Sequence, residues 1–570
     1  MKLKFSFLVA MLLTLFLVLA ACGGDDGEDS SSDSGSSDDG QSEEQSGNDG
    51  EESSESESGD EASSGDGEDI LVYARGGDSE SLDFASTTDG ESSRVTKQIY
   101  ESLLDFEKES FEIKPGLAHD WEVSDDGLTY TFHLEEGVTF HDGTKFNAEA
   151  VKTNFDRWSG ADDTYAFEDE GYAYSMYGTM FGGFDGDEGH VIDSINVVDD
   201  HQIEFQLKRP LGFFLQNMAM SYFAITSPAA LEEHGAAINE NPVGTGPFKF
   251  VSWERDNQIE LEAFEDYRKD GQPKLDGVVF EVIPDNSSRL IALNSGEVHI
   301  MDGLNPDDAA GVEEDDATTL YTRAANNFGY LGFQTEKEPI NDATVRQAIN
   351  HAINREEIAE AMYAGYAQPA VNPVPPNYLG YNDELELYEY DLERAQELLA
   401  EAGYEDGFEI DLWTMPVARP YMPDAETVAT IIQSDLSEIG VSVNIVREEW
   451  APYLEKTAAG EQEMFMLGWS GTNGDPDYFL SSLLHGDNAG SSNRSFYQND
   501  EVDELLDQAK VATDQEERAE LYKQTQEIIY EDSPMIPLVH SEPVLASLSS
   551  VQNYVPHPST SESLAEVELE

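Results

Sequence analysis

The stretch Phe408-Glu409-Ile410-Asp411-Leu412-Trp413 opens a pattern that decides the fold. It reads as a strand. Asp424 to Ile439 follows with Val428, Ile432 and Ile439 on one helical face, and Gly440 stops it. Val441-Ser442-Val443-Asn444-Ile445-Val446 is a second strand, Trp450 to Ala459 a second helix, and Met464 to Trp469 a third strand. Alternation of this kind predicts parallel strands joined by right-handed crossovers. The carboxyl ends of such strands share one edge, where open α/β sheets bind ligands.

Two loops fall on that edge. The first is Met415-Pro416-Val417-Ala418-Arg419-Pro420-Tyr421-Met422-Pro423, in which prolines stiffen the backbone around a lone Arg419. A guanidinium ahead of a helix N-terminus suits a carboxylate, held bidentately. It equally suits a surface arginine that offsets nearby acid. The second loop, Ser470-Gly471-Thr472-Asn473-Gly474-Asp475-Pro476-Asp477, carries two carboxylates that suit an amine. Asn-Gly and Asp-Pro are also ordinary turn formers. Opposite charges on one strand edge suit a zwitterion. Tyr421, Trp450 and Trp469 stand close by as apolar walls, or as core.

Working outward, Val345, Ile349, Ala352 and Ile353 form a helical stripe behind Asn341-Asp342. Leu392, Ala395, Leu399 and Ala402 form another, with Asp391 as its cap and Gly403 at its end. The first half of the chain is richer in strands: Asp69 to Ala74, Ile203 to Leu207, and a hairpin whose arms flank Asp125-Asp126-Gly127. Residues 23 to about 68 are almost wholly Gly, Ser, Asp and Glu, a composition that predicts a disordered, extended tether. Ahead of it, Lys2 and Lys4 precede an apolar run from Phe5 to Leu19, which is too short to span a bilayer. Leu19-Ala20-Ala21-Cys22 ends it, so residues 1–21 read as a secretory signal peptide. The cysteine at the cleavage point resembles the lipobox of bacterial lipoproteins. That resemblance implies a diacylglycerol on Cys22 and a lipid anchor on the outer face of the cell membrane.

Composition excludes several classes. The chain of 570 residues carries 118 acidic against 30 basic residues, a net charge of −88. Such a surface repels nucleic acid and anionic lipid. It is tolerable where salt screens it, which points to a halophilic source. The single cysteine leaves none for disulfides. The eleven histidines show no metal-ligand spacing, and no metal or cofactor is expected. Hydrolase signatures are missing: there is no His-Glu-x-x-His, and Gly468-Trp469-Ser470-Gly471-Thr472 has Thr472 where a nucleophile elbow needs glycine. Gly244-Thr245-Gly246-Pro247 lacks the Lys-Ser/Thr of a phosphate loop.

Three further segments carry a family resemblance. They are Pro115-Gly116-Leu117-Ala118-His119-Asp120-Trp121 with its continuation Gly137-Val138-Thr139-Phe140-His141-Asp142-Gly143, Asn241-Pro242-Val243-Gly244-Thr245-Gly246-Pro247-Phe248, and Val345-Arg346-Gln347-Ala348-Ile349-Asn350-His351. With the loops above, they resemble the peptide-binding proteins of ABC importers, solute-binding family 5, from about residue 70 to about 555. The resemblance implies an α/β, two-lobed periplasmic-binding-protein-like clamp (type II, cluster C) with an extra small domain. Lobe I would take residues 69–325 and 541–570, the small domain about 112–190, and lobe II 326–540. It implies a monomer that is not an enzyme, with a short peptide as ligand and an ABC permease as partner. Arg419 matches the arginine that pairs with a peptide's terminal carboxylate. Tyr421, Trp450 and Trp469 match pocket walls, and Gly77 and Asp78 match a lobe I loop near the ligand.

One position departs. Where the dipeptide-binding members hold the ligand's amine with an aspartate, this chain has Thr472. Either Asp475 or Asp477 replaces it, or the ligand has no amine there. Arg75 is a second unusual residue, placed to meet another anion. Glutathione, haem or another small solute is the alternative cargo, and a secreted hydrolase the remote alternative.

Overall fold

A computed structural model describes residues 69–167 and 171–570. The signal segment, Cys22 and the acidic tether lie outside the described residues.

Two large sheets organise the chain. The first has seven strands in the order Thr318–Thr322, Val544–Leu548, Ile300–Met301, Ile70–Arg75, Gly277–Val282, Gln258–Ala263 and Phe248–Glu254. Ile70–Arg75 runs parallel to both its neighbours. Its alternate side chains enter two cores: Leu71 and Tyr73 pack on one face, and Ala74 on the other.

The second sheet has six strands, Ala367–Pro369, Met535–Ser541, Asn327–Phe333, Met464–Ser470, Phe408–Thr414 and Val441–Arg447. Phe408–Thr414 pairs in parallel with both Val441–Arg447 and Met464–Ser470, as the alternation requires. The local signals act where expected. Asp391 accepts from the Arg394 N–H at 2.9 Å and Asp424 from the Thr427 N–H at 3.0 Å, which start their helices. Gly440, at φ +85°, ends the helix Ala425–Ser437 in a conformation that favours glycine. Its buried face, with Val428, Ile432 and Leu436, joins the largest core.

The chain passes from the first sheet to the second between Thr322 and Asn327, and back between Ser541 and Val544. A third sheet is antiparallel, in the order Ala118–Val123, Thr129–Leu134, Gln202–Leu207 and Ile192–Asp199. The Asp-Asp-Gly turn closes its first hairpin: the Ser124 hydroxyl donates to Asp126, and the Gly127 N–H to the Ser124 carbonyl. The sheet corrects the sequence-based boundary near residue 190. Two of its four strands lie beyond that point, and its core runs from Leu103 to Ile225. The cause is the pairing: Thr129–Leu134 is an inner strand and needs Gln202–Leu207 on its free edge.

Candidate ligand-binding site

The two crossing segments lie beside a cavity of about 400 Å³. Its walls come from both lobes and from the small domain. Thr88, Ser93 and Thr560 belong to the first lobe, Tyr222 to the small domain, and Pro420, Ser470, Thr472 and Tyr478 to the second lobe. Arg323 and Asn326 line it from the first crossing. Asn326 ties the parts together: its amide donates to the Gly471 carbonyl at 2.9 Å and to the Pro558 carbonyl at 3.2 Å.

In a chain of charge −88, this wall holds no carboxylate. Its one charged residue, Arg323, is committed to Glu562 at 2.7 Å and to the His557 carbonyl. Burial would lower the Arg323 guanidinium, but Glu562 and Asp302 hold it above its ordinary value. The cavity is therefore neutral, lined by hydroxyls, amides and aromatic rings.

The first charged loop stands at the edge of this space. Pro420 is in the cavity wall, and Arg419 is exposed beside it. The Arg419 guanidinium donates to the Ala418 carbonyl and lies 5.7 Å from the Trp450 ring. It has no carboxylate partner among the described residues. Trp450 is half-buried and stacks on Tyr453 at 5.8 Å. Tyr421 is buried, not a free wall. A side chain on Gly468 would meet its ring at 2.1 Å, so the phenol packs against the strand at Gly468 and anchors the loop. Burial pushes the Tyr421 hydroxyl up, against the pull of Arg419.

The second loop overturns an expectation. Asp475 is 1 % exposed and does not face the cavity. Its two oxygens take the Arg518 guanidinium at 2.8 and 2.9 Å, and Tyr522 donates at 3.2 Å. Burial would lower the Arg518 guanidinium, yet Asp475 keeps it above its ordinary value. Asp477 opens the helix Asp477–Leu484 and accepts from Ser481 at 2.6 Å. Neither carboxylate is free for a ligand amine. The physical reason is that this loop docks the small domain. Asn473 donates to Asn217 at 3.0 Å, and Gly474, at φ +74°, lies so close to Phe111 that a Cβ would meet it at 2.1 Å.

Asp78 is likewise saturated. It accepts from the Ser79 and Asp256 N–H groups, from the Trp253 indole and from Arg75. Arg75 is fully buried, where it also holds the Ser79 hydroxyl and the Glu91 carbonyl, so it meets no second ligand anion. Gly77 and Asp78 are not part of the cavity wall.

Thr472 and Trp469 remain as polar groups without a use. The Thr472 hydroxyl and the Trp469 indole N–H are buried and have no hydrogen-bond partner among the described residues. The Trp469 ring lies 5.5 Å from that of Tyr478. The wall residues Thr88, Ser93, Tyr222 and Ser559 escaped the sequence reading. They come from three separate segments, around residues 88–93, 222 and 559, and no spacing links the three; only Tyr478, next to Asp477, was within its reach. Among the described residues, no group of three or more His, Cys, Asp and Glu is placed to hold a metal. No helix there is long and apolar enough to cross a membrane.

Comparison with known proteins identifies the class. Residues 112–491 match the family described as bacterial extracellular solute-binding proteins, family 5. The heme-binding protein A of Haemophilus influenzae is 39% identical over 474 residues, which cover 81% of this chain and 85% of that protein. The dipeptide-binding protein of Escherichia coli is 37% identical, over 83% of this chain and 89% of that one. Among solved structures, HbpA2 from Haemophilus parasuis superposes with a TM-score of 0.81 at 33% identity, covering 88% of this chain and all of the other. The DppA protein of Helicobacter pylori, in complex with the peptide STSA, gives 0.74 at 37% identity, covering 88% of this chain and 98% of the other.

The chain belongs to family 5 of the extracellular solute-binding proteins. It has that family's α/β fold with two large sheets, and it is a binding protein, not an enzyme.

Proposed function

We propose that this protein is the extracytoplasmic receptor of an ABC importer and captures short peptides. The observation that carries the reading is the neutral cavity of about 400 Å³ walled by both lobes and the crossing segments. That volume lies in the range of small-molecule sites. A ligand that touches both lobes binds the closed form better and shifts the population toward it. The closed form then docks on the permease. Arg419, exposed and without a carboxylate, takes the ligand's terminal carboxylate, with Trp450 beneath it. Tyr478 and Thr472 wall the middle of the site, with the Trp469 ring beside Tyr478. The names of the Escherichia coli and Helicobacter pylori relatives support a peptide cargo.

The sequence supports the rest of the reading. Cys22 carries a lipid, residues 23 to 68 leash the clamp to the membrane face, and the acidic surface suits a salt-rich medium. The receptor works as a monomer.

The test is mass spectrometry of ligand released from the purified protein, joined to calorimetric titration with dipeptides, oxidised and reduced glutathione, and haem. Micromolar or tighter binding of dipeptides, with haem and glutathione silent, is the expected result. Binding of haem or glutathione alone would replace peptide by that cargo.

A further inference from the structure

A second chamber, of about 120 Å³, adjoins the ligand cavity. The two share Ser93, Tyr222, Gly471, Thr472 and Ser559 as walls. The chamber is lined by Lys97, Lys108, Lys114 and Lys269, in a chain that has 30 basic residues against 118 acidic ones.

Four carboxylates, Asp105, Glu107, Glu562 and Glu566, share this lining and are already engaged, Glu107 with Lys114 at 3.9 Å. Asp105 lies 2.6 Å from Lys97 and 3.7 Å from Lys114. Although burial pushes its carboxyl up, those two lysines hold it well below the usual carboxylate range. Lys108 reaches Glu566 at the rim, and Glu562 belongs to Arg323. Lys269 differs from the rest. It is half-buried, yet its ammonium has no hydrogen-bond or ion-pair partner among the described residues. Burial lowers its pKa, and the charges of Glu101 and Asp105 offset that only in part. The Thr472 hydroxyl, in the wall common to both cavities, is also unpartnered and buried. An anion entering through the shared wall supplies a partner to both.

We propose that the lysine chamber receives an anionic extension of the bound ligand, a carboxylate on a peptide side chain, so that acidic peptides are the preferred cargo. This rests on the peptide reading above. The volume fits such a group: at about 30 Å³ per water, it equals a few waters, enough for a carboxymethyl or carboxyethyl side chain and too small for a second ligand. The position of Thr472 fits as well. A carboxylate there would repel the anion, whereas a hydroxyl donates to it.

The experiment is calorimetric titration of the purified full-length protein with Ala-Ala, Ala-Glu, Glu-Ala and Ala-Lys at one salt concentration. The better of the two glutamyl dipeptides should bind about tenfold more tightly than Ala-Ala, the scale of one charge-assisted hydrogen bond. Lys269→Gln should bring that ratio within about threefold, and Lys269→Glu should reverse it in favour of Ala-Lys. The ratio is read within each variant, so a general loss of folded protein does not alter it. If Ala-Ala binds and the glutamyl dipeptides bind no better, or if the ratio ignores Lys269, the chamber has no such role. If no dipeptide binds, the peptide reading fails and this inference fails with it.

Discussion

The loop after Phe408–Thr414 leaves its one cation, Arg419, exposed and without a carboxylate, whereas the loop after Met464–Ser470 buries both its carboxylates on protein partners. The two loops occupy the same sheet edge and carry opposite charge. One is open to a ligand, and the other joins two parts of the fold. The difference lies in what packs on each loop. Three prolines and an anchored Tyr421 hold the first against its own sheet. The second lies under the small domain, with Phe111 on Gly474 and Asn217 on Asn473. Charge at a strand edge is thus available to a ligand only where no other element covers it.

Breaking the buried half of this contrast should have the largest effect. Arg518→Met leaves Asp475 charged and enclosed, and should cost about 3–5 kcal/mol of stability by urea unfolding. A loss below about 1 kcal/mol would mean that Asp475 reaches solvent and is again a candidate for the ligand's amine.

The exposed half predicts the reverse. Arg419→Ala should leave stability within about 0.5 kcal/mol but weaken dipeptide binding by about 2–4 kcal/mol in calorimetry. Unaltered affinity would remove Arg419 from the site.

Within the second loop, Asp477 should behave unlike Asp475. Burial pushes its pKa above the ordinary value, so the folded state binds a proton more readily than the unfolded state. The group's contribution to stability is therefore gained as pH falls through the carboxylate range and lost as pH rises. Asp477→Asn keeps an acceptor for Ser481 and should be neutral to stabilising, by up to about 1 kcal/mol at pH 7. That advantage should fade toward pH 4, and a strongly destabilised variant at pH 7 would contradict it.

The smallest effect is expected at the wall between the loops. Thr472→Val removes a hydroxyl that has no protein partner. Stability should change by less than about 0.5 kcal/mol, while ligand affinity falls by about 0.5–1 kcal/mol if the ligand completes that hydrogen bond. Equal affinity for Val and Thr forms would take Thr472 out of the contact.

What was legible in the sequence was local. The parallel strands from Phe408 to Ser470, the cap Asp391, the helix start at Asp424 and the stop at Gly440 depend on neighbours within a few residues. The misread residues depend on partners far along the chain. Asp475 meets an arginine 43 residues later, and Asp78 an indole 175 residues later. The end of the small domain was missed for the same reason, since its sheet is completed by strands that return after a long excursion. No periodicity or spacing carries such pairings, and they decide whether a charge is free.

The double crossing between the sheets also governs when each part can form. Val544–Leu548 fills the place between Thr318–Thr322 and Ile300–Met301. The first lobe therefore cannot close its sheet until the whole second lobe has been synthesised, whereas the second lobe has all its strands by Ser541. Contacts of such long sequence separation form slowly. The first lobe of a nascent chain is thus held short of its final state until Val544–Leu548 has been made, while the second can already pair its strands.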